Sequence, residues 1–173
     1  MRVLIAGVGN IFMGDDGCGS VMAEVLRDCV DGADVVDIGT GGLPLTDYLE
    51  NFDVIIVVDA AAISEDVKVI EVTGEISSDG VGEEVLSLIL GGSHGLGIMD
   101  IVNFLRLGER KPQVLIVGCR PISVEVRVGL SKDMIVNCLK ALDEIARLGS
   151  RFNVKIDVEK ARAKLLSKVE GLI

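Results

Sequence analysis

The chain has no tryptophan, one tyrosine and four phenylalanines among its 173 residues, so its core must be built from aliphatic side chains. Proline occurs only three times, and long stretches are therefore open to regular structure. Cations are scarce: 17 Lys and Arg face 27 Asp and Glu, a net charge of −10. That sign repels phosphate backbones and anionic lipid, which argues against nucleic acid or a membrane as partner. No apolar run approaches the roughly 18 residues needed to span a bilayer. The opening MRVLIAGVGN lacks the layout of a secretory signal. Cys18, Cys29, Cys119 and Cys138 form neither a CxxC pair nor a dense framework, which suits a reducing, cytoplasmic compartment. There is one histidine, so any imidazole chemistry falls to His94.

What the chain does have is a hydrophobic fraction of 49% and 21 glycines, a balance that fits tight turns between buried elements. Val3 to Ala6 is an apolar run entering a glycine-rich turn, and Val21, Met22, Val25 and Leu26 then recur at helical spacing over Cys18 to Leu26. Val35 to Ile38 reads as a strand, Leu45 to Leu49 as a short helix, and Val54 to Val58 as a strand buried on both faces. Val67 to Val72 reads as a strand near an edge, Ile98 to Leu107 as a helix, and Val114 to Val117 as a strand. Val124, Val126 and Val128 alternate as one more strand. Ser131 caps a helix running to about Leu148. Strands alternating with helices predict a three-layer α/β/α sandwich around a twisted, mostly parallel sheet of about five strands. We expect a single domain, 1–173, with a core over 1–148 and an amphipathic helical extension over about 150–172.

Gly7-Val8-Gly9-Asn10 follows the first strand, but the third glycine of a dinucleotide fingerprint is replaced by Phe12. Asp15 and Asp16 then stand where a helix begins, the place a nucleotide would set its pyrophosphate, and two carboxylates there repel an anion. No nucleotide cofactor is expected. An acid at a helix start can simply cap it, but that explains one aspartate better than two. Asp59 ends the buried run Val54 to Val58 at the carboxyl edge of a central strand, where open α/β sheets bind ligands. His94 lies in Gly91-Gly92-Ser93-His94-Gly95-Leu96-Gly97, within a long polar connection. Two carboxylates and an imidazole suit a borderline divalent ion such as zinc or nickel. Their separation in sequence is too long for a local metal motif.

The segment Gly7-Val8-Gly9-Asn10-Ile11-Phe12-Met13-Gly14-Asp15-Asp16-Gly17-Cys18-Gly19 resembles the opening signature of the [NiFe]-hydrogenase maturation endopeptidases. The likeness continues at Asp37 to Gly42, Val57-Val58-Asp59-Ala60, Ser93-His94-Gly95 and Leu130-Ser131, and spans about residues 1 to 148. It implies an endopeptidase that removes a short carboxyl-terminal extension from the precursor of the hydrogenase large subunit once nickel is inserted. It further implies that Asp16, Asp59 and His94 are the catalytic, metal-contacting set, with nickel supplied by the precursor. Asp16 stands where some relatives carry Glu, and Arg120 where Gln or Glu is expected. Gly39, Thr40 and Gly41 follow a strand end and are expected, with Asp15, to contact substrate, their backbone N–H groups facing a carbonyl or oxyanion. Asp16 or Asp15 is the candidate base. Two other readings stand beside this one. One is a metal-sensing module without peptidase activity. The other is a peptidyl-tRNA hydrolase, which shares the GxGN turn but continues with proline where this chain has Ile11.

Overall fold

A computed structural model of the chain describes residues 1–39, 48–72 and 112–170. Its elements are β1 (Val3–Val8), α1 (Cys18–Leu26), β2 (Val30–Asp31), β3 (Asp34–Gly39), β4 (Val54–Ala60), β5 (Val67–Val72), β6 (Gln113–Cys119), α2 (Lys132–Ser150), β7 (Lys155–Ile156) and α3 (Val158–Glu170). A 3-10 turn, Gly14–Gly17, leads directly into α1. Five strands form one sheet in the order β3-β1-β4-β6-β5. All neighbours are parallel except β5, which runs antiparallel to β6 at the edge.

The uninterrupted apolar runs of β1, β4 and β6 are buried on both faces. On one face Ile5, Ile56 and Leu115 meet Met22 and Leu26 of α1 and Met134, Leu142 and Ile145 of α2. On the other, Leu4, Ile55 and Ile116 pack with Leu49 and Phe52. Each large aliphatic side chain so removed from water contributes about 1.5–3 kcal/mol, which is how a core with few aromatic rings is held. The short helix expected over Leu45 to Leu49 falls mostly outside the described residues, and that expected over Ile98 to Leu107 wholly outside.

The terminal helix α3 is docked. Its Ala161 and Leu165 are fully buried in the same core as α1 and α2. Lys168 pairs with Glu24 of α1, and β7 pairs antiparallel with β2. One expected strand does not form. Over Val124 to Val128 there is only an isolated bridge from Arg127 to Met13, and Val126 and Val128 are 85% and 65% exposed. The reason is positional: β4 and β5 fill both places beside β6, so the chain leaving β6 cannot fold back to pair with it.

The sheet reverses winding between β1 and β4. From β1 the chain passes through α1 to β3 on one side, then returns to β4 on the other. Such a switch point opens a crevice at the carboxyl ends of the two strands. Close approach of α1 to this crevice depends on glycine: a Cβ on Gly19 would lie 2.1 Å from the Val8 carbonyl oxygen and 2.3 Å from that of Val58. Gly39 differs, having a φ of +64° but open space around it. Gly19→Ala is therefore expected to cost about 3 kcal/mol or more, whereas Gly39→Ala costs about 1–2 kcal/mol from its backbone angle alone. Urea unfolding of the two variants checks this, and equal losses would contradict it.

Candidate functional site

The 3-10 turn after β1 and the end of β4 bring Asp16 and Asp59 together at the switch point. Both are almost fully buried, at 2% and 3% exposure. Asp59 is the last residue but one of β4, and its neighbour across β6 is Gly118, which adds no side chain beside it. Burial pushes the Asp59 carboxyl well above the ordinary carboxylate range, and the nearby charge of Asp16 pushes it further, against the opposing hydrogen bond from the Ala60 backbone. Asp59 Oδ1 has no hydrogen-bond partner among the described residues. A buried, unpartnered carboxylate oxygen beside a second acid is satisfied by a proton or by a cation, and otherwise stays costly.

Asp15, one residue before Asp16, is differently employed. Its carboxylate accepts from the backbone N–H groups of Ile122, Ser123 and Ser131 at 2.9, 2.8 and 2.6 Å, and from Ser131 Oγ at 2.8 Å. The expectation that Asp15 contacts substrate or serves as base gives way to this geometry: four donors occupy the carboxylate, which has no exposed surface. Ser131 is the N-cap of α2, as its sequence position suggests, and its Oγ accepts from Met134 N at 3.2 Å. One relay thus ties the acid-bearing turn to loop 121–131 and to the start of α2.

At the end of β3, Asp37 Oδ1 accepts from Gly39 N at 2.9 Å and from Ser20 Oγ at 2.8 Å, while Gly9 N donates to Gly39 O at 3.0 Å. The Gly39 N–H is thereby committed within the protein, and the expected oxyanion contact cannot come from it in this arrangement. Thr40, Gly41 and His94 lie outside the described residues. Asp37 and Ser20 were not singled out by sequence reasoning, although Asp37 opens the matching segment Asp37 to Gly42. Arg120 pairs with Asp66 at 2.6 Å, and Lys140 meets the other oxygen of that carboxylate at 2.6 Å.

Nucleophilic cysteine chemistry finds no support. All four thiols are free and buried. Cys18 Sγ lies 3.0 Å from Cys138 Sγ. The Cys119 thiol is held well above its usual range by its hydrogen bond with Cys18, by burial and by the charge of Asp59. Cys18 accepts a favourable hydrogen bond from Cys119, but the contact with Cys138 and burial outweigh it and raise its pKa too. A reactive thiolate needs the opposite surroundings.

Comparison with known proteins decides the family. The family model described as hydrogenase maturation protease, HycI, matches residues 22–148. The chain belongs to the hydrogenase maturation protease family. It is 31% identical over 151 residues to the hydrogenase 2 maturation protease of Escherichia coli K12, covering 84% of this chain and 88% of that protein. The fold of this protease is similar to that of the hydrogenase maturating endopeptidase HybD from E. coli, with 27% identity, 90% and 96% of the two chains covered and a TM-score of 0.72. The [NiFe] hydrogenase maturation protease HybD from Thermococcus kodakarensis, 23% identical over 86% of this chain and 99% of its own, shares the fold at a TM-score of 0.67. Family membership sets aside the peptidyl-tRNA hydrolase reading.

The two acids of this protease are expected to separate in their effects on stability. For an acid whose pKa is raised on folding, the unfolded chain ionises first. Stability contributed by the group then falls as pH rises from the ordinary carboxylate range to the folded-state value. Asp59→Asn removes that loss, so at pH 8 the variant should be about 1–3 kcal/mol more stable than wild type, with the gap closing toward pH 4. Asp15→Ala, which strands three backbone donors, should instead lose about 3 kcal/mol or more. Thermal unfolding across pH measures both, and a wild type more stable than Asp59→Asn at pH 8 would refute the first.

Proposed function

We propose that this protease removes the carboxyl-terminal extension of a [NiFe]-hydrogenase large-subunit precursor in the cytoplasm, and that it recognises nickel already carried by that precursor through Asp16, Asp59 and His94. The observation that carries the reading is the crowded acid pair at the switch point, with one Asp59 oxygen unpartnered and its pKa driven up. Asp59 is destabilised as a carboxylate by its burial and by the charge of Asp16 beside it. A divalent ion presented by the substrate relieves both, and oxygen and imidazole donors suit nickel. An ion in that place supplies positive charge for the scissile carbonyl and for a bound water.

The chain's own contribution follows from the different surroundings of its two acids. Asp59, buried at the carboxyl edge of β4, gives up its raised proton affinity when the ion is engaged and serves as a ligand. Asp16, at the amino end of α1 where the helix dipole favours negative charge, is the base that takes a proton from water. Gly9 and Gly39 shape the walls of the crevice, and the buried thiols behind Asp59 keep bulk water from its inner side.

The test is mass spectrometry of a purified large-subunit precursor with and without bound nickel. The loaded form should lose one defined terminal peptide, and the nickel-free form should be cut at least 100-fold more slowly. Equal cutting of both forms overturns the metal-recognition step. His94→Ala and Asp16→Asn should each lower processing of the loaded precursor by 100-fold or more, within the range general acid–base and metal-ligand groups supply. Unaltered cleavage by His94→Ala would remove that residue from the site. Tight nickel binding with no cleavage at all would favour a sensing module instead.

A further inference from the structure

Asp15 and Asp16 are consecutive in the 3-10 turn Gly14–Gly17, and their side chains leave it toward different neighbours. Asp16 stands beside Asp59, whereas Asp15 reaches loop 121–131. The bonds of Asp15 to Ser123 run in both directions. Asp15 N donates to Ser123 O at 2.9 Å, and Ser123 N donates back to Asp15 Oδ2 at 2.8 Å. Such a ring closes through the backbone and the side chain of Asp15 together, so it fixes the orientation of that residue about its own Cα. The direction in which the next residue leaves the turn is thereby fixed as well. Gly14 N, donating to Arg127 O at 2.7 Å, and Asn10 N, donating to Asp16 O at 3.3 Å, hold the turn on either side of the ring.

The donors call for a carboxylate in particular. Oδ2 accepts from Ile122 N, Ser123 N and Ser131 Oγ, and Oδ1 accepts from Ser131 N at 2.6 Å. An amide has one accepting oxygen, and in either orientation its NH2 group would confront at least one backbone N–H. A tie of this kind positions something only if its far end is itself fixed, and here it is. Asn137, buried on α2, donates from Nδ2 to Arg120 O at 2.8 Å where the loop begins, and Ser131 caps α2 where the loop ends. Both ends of the loop are thus anchored to one helix, whose Met134 and Leu142 sit in the core.

We propose that Asp15 is the positioning residue for Asp16: held by Ser123 and Ser131, it aims the Asp16 carboxylate at the place where the metal-loaded precursor is engaged, without itself touching the substrate. This rests on the precursor-processing reading above and deepens it by giving the first acid of the turn a part in the reaction. Groups that ligate or move protons must be held within about 0.5 Å of the productive geometry, and a misplacement of about 1 Å costs on the order of 100-fold in rate.

The experiment compares variants of the full chain in cleavage of purified, nickel-loaded precursor and in binding of loaded and nickel-free precursor. Asp15→Asn should slow cleavage at saturating loaded precursor at least tenfold. It should also reduce the binding preference for the loaded over the nickel-free form at least fivefold, with affinity for the nickel-free form close to that of wild type. A merely structural loss would lower both affinities together. Leu165→Ala, which opens a cavity in the core without touching the turn, should lower thermal stability yet keep wild-type cleavage and preference. Ser131→Ala removes one donor to Asp15 and should slow cleavage at least threefold, while Ser131→Thr, which keeps the hydroxyl, should restore it. These two variants decide the matter if Asp15→Asn does not fold. Wild-type cleavage and preference in Asp15→Asn and Ser131→Ala would overturn the positioning role and leave the processing reading standing. An equal loss of cleavage in Leu165→Ala would overturn it too, since general destabilisation would then explain the effect. A wild type that prefers the loaded precursor but does not cut it, with that preference lost in Asp15→Asn, would sustain the positioning role and sink the processing reading alone. A wild type that neither cuts nor prefers the loaded form would sink both.

Discussion

One carboxylate organises the working end of this protein. Asp15 is wholly inside, and it gathers three backbone N–H groups and a hydroxyl from a loop more than a hundred residues away in sequence. Charge-assisted bonds of this kind are the strong ones, and here they reinforce the backbone bonds from Gly14 N to Arg127 O and from Asp15 N to Ser123 O in fixing a short 3-10 turn. Through them the loop after β6, the cap of α2 and the turn bearing Asp16 become one rigid body.

The neighbouring pair obeys the reverse logic. Asp15 is buried and satisfied, whereas Asp59 is buried with an oxygen unmatched among the described residues, and its proton affinity is raised by burial and by Asp16. A protein under selection for stability alone would not keep that arrangement, since an amide or an apolar residue would fit with less penalty. Titratable groups perturbed in this way cluster at functional sites. Two adjacent aspartates in one turn thus have different surroundings, Asp15 saturated with donors and Asp16 lying beside Asp59.

Much of the framework was legible in the sequence because it rests on short-range rules. The helix over Cys18–Leu26 followed from the spacing of Met22, Val25 and Leu26, the buried central strand from the Val/Ile run before Asp59, and the start of α2 from Ser131. The edge placement of Val67–Val72 followed from its weaker alternation, although its antiparallel direction did not. The juxtaposition of Asp16 and Asp59 was approached from two local signals, a pair of acids at a helix start and an acid at the carboxyl edge of a buried strand. The role of Asp15 was not legible, since its donors lie near residues 122 and 131 and no local pattern links them. Alternation misled at Val124 to Val128: the pattern reports a capacity to pair, and the sheet had no vacant edge beside β6. The Gly39 N–H was likewise assigned outward because nothing in the sequence announces that Asp37 turns back to receive it.

All four sulfhydryls lie in the interior, three of them clustered where α1, β6 and α2 meet. Alkylating reagents can reach that cluster only when the helices part from the sheet, so the rate at which the folded protein takes up label is a clock for its own opening. The protein therefore carries, without any added probe, an internal reporter of how often the scaffold behind its acids comes apart.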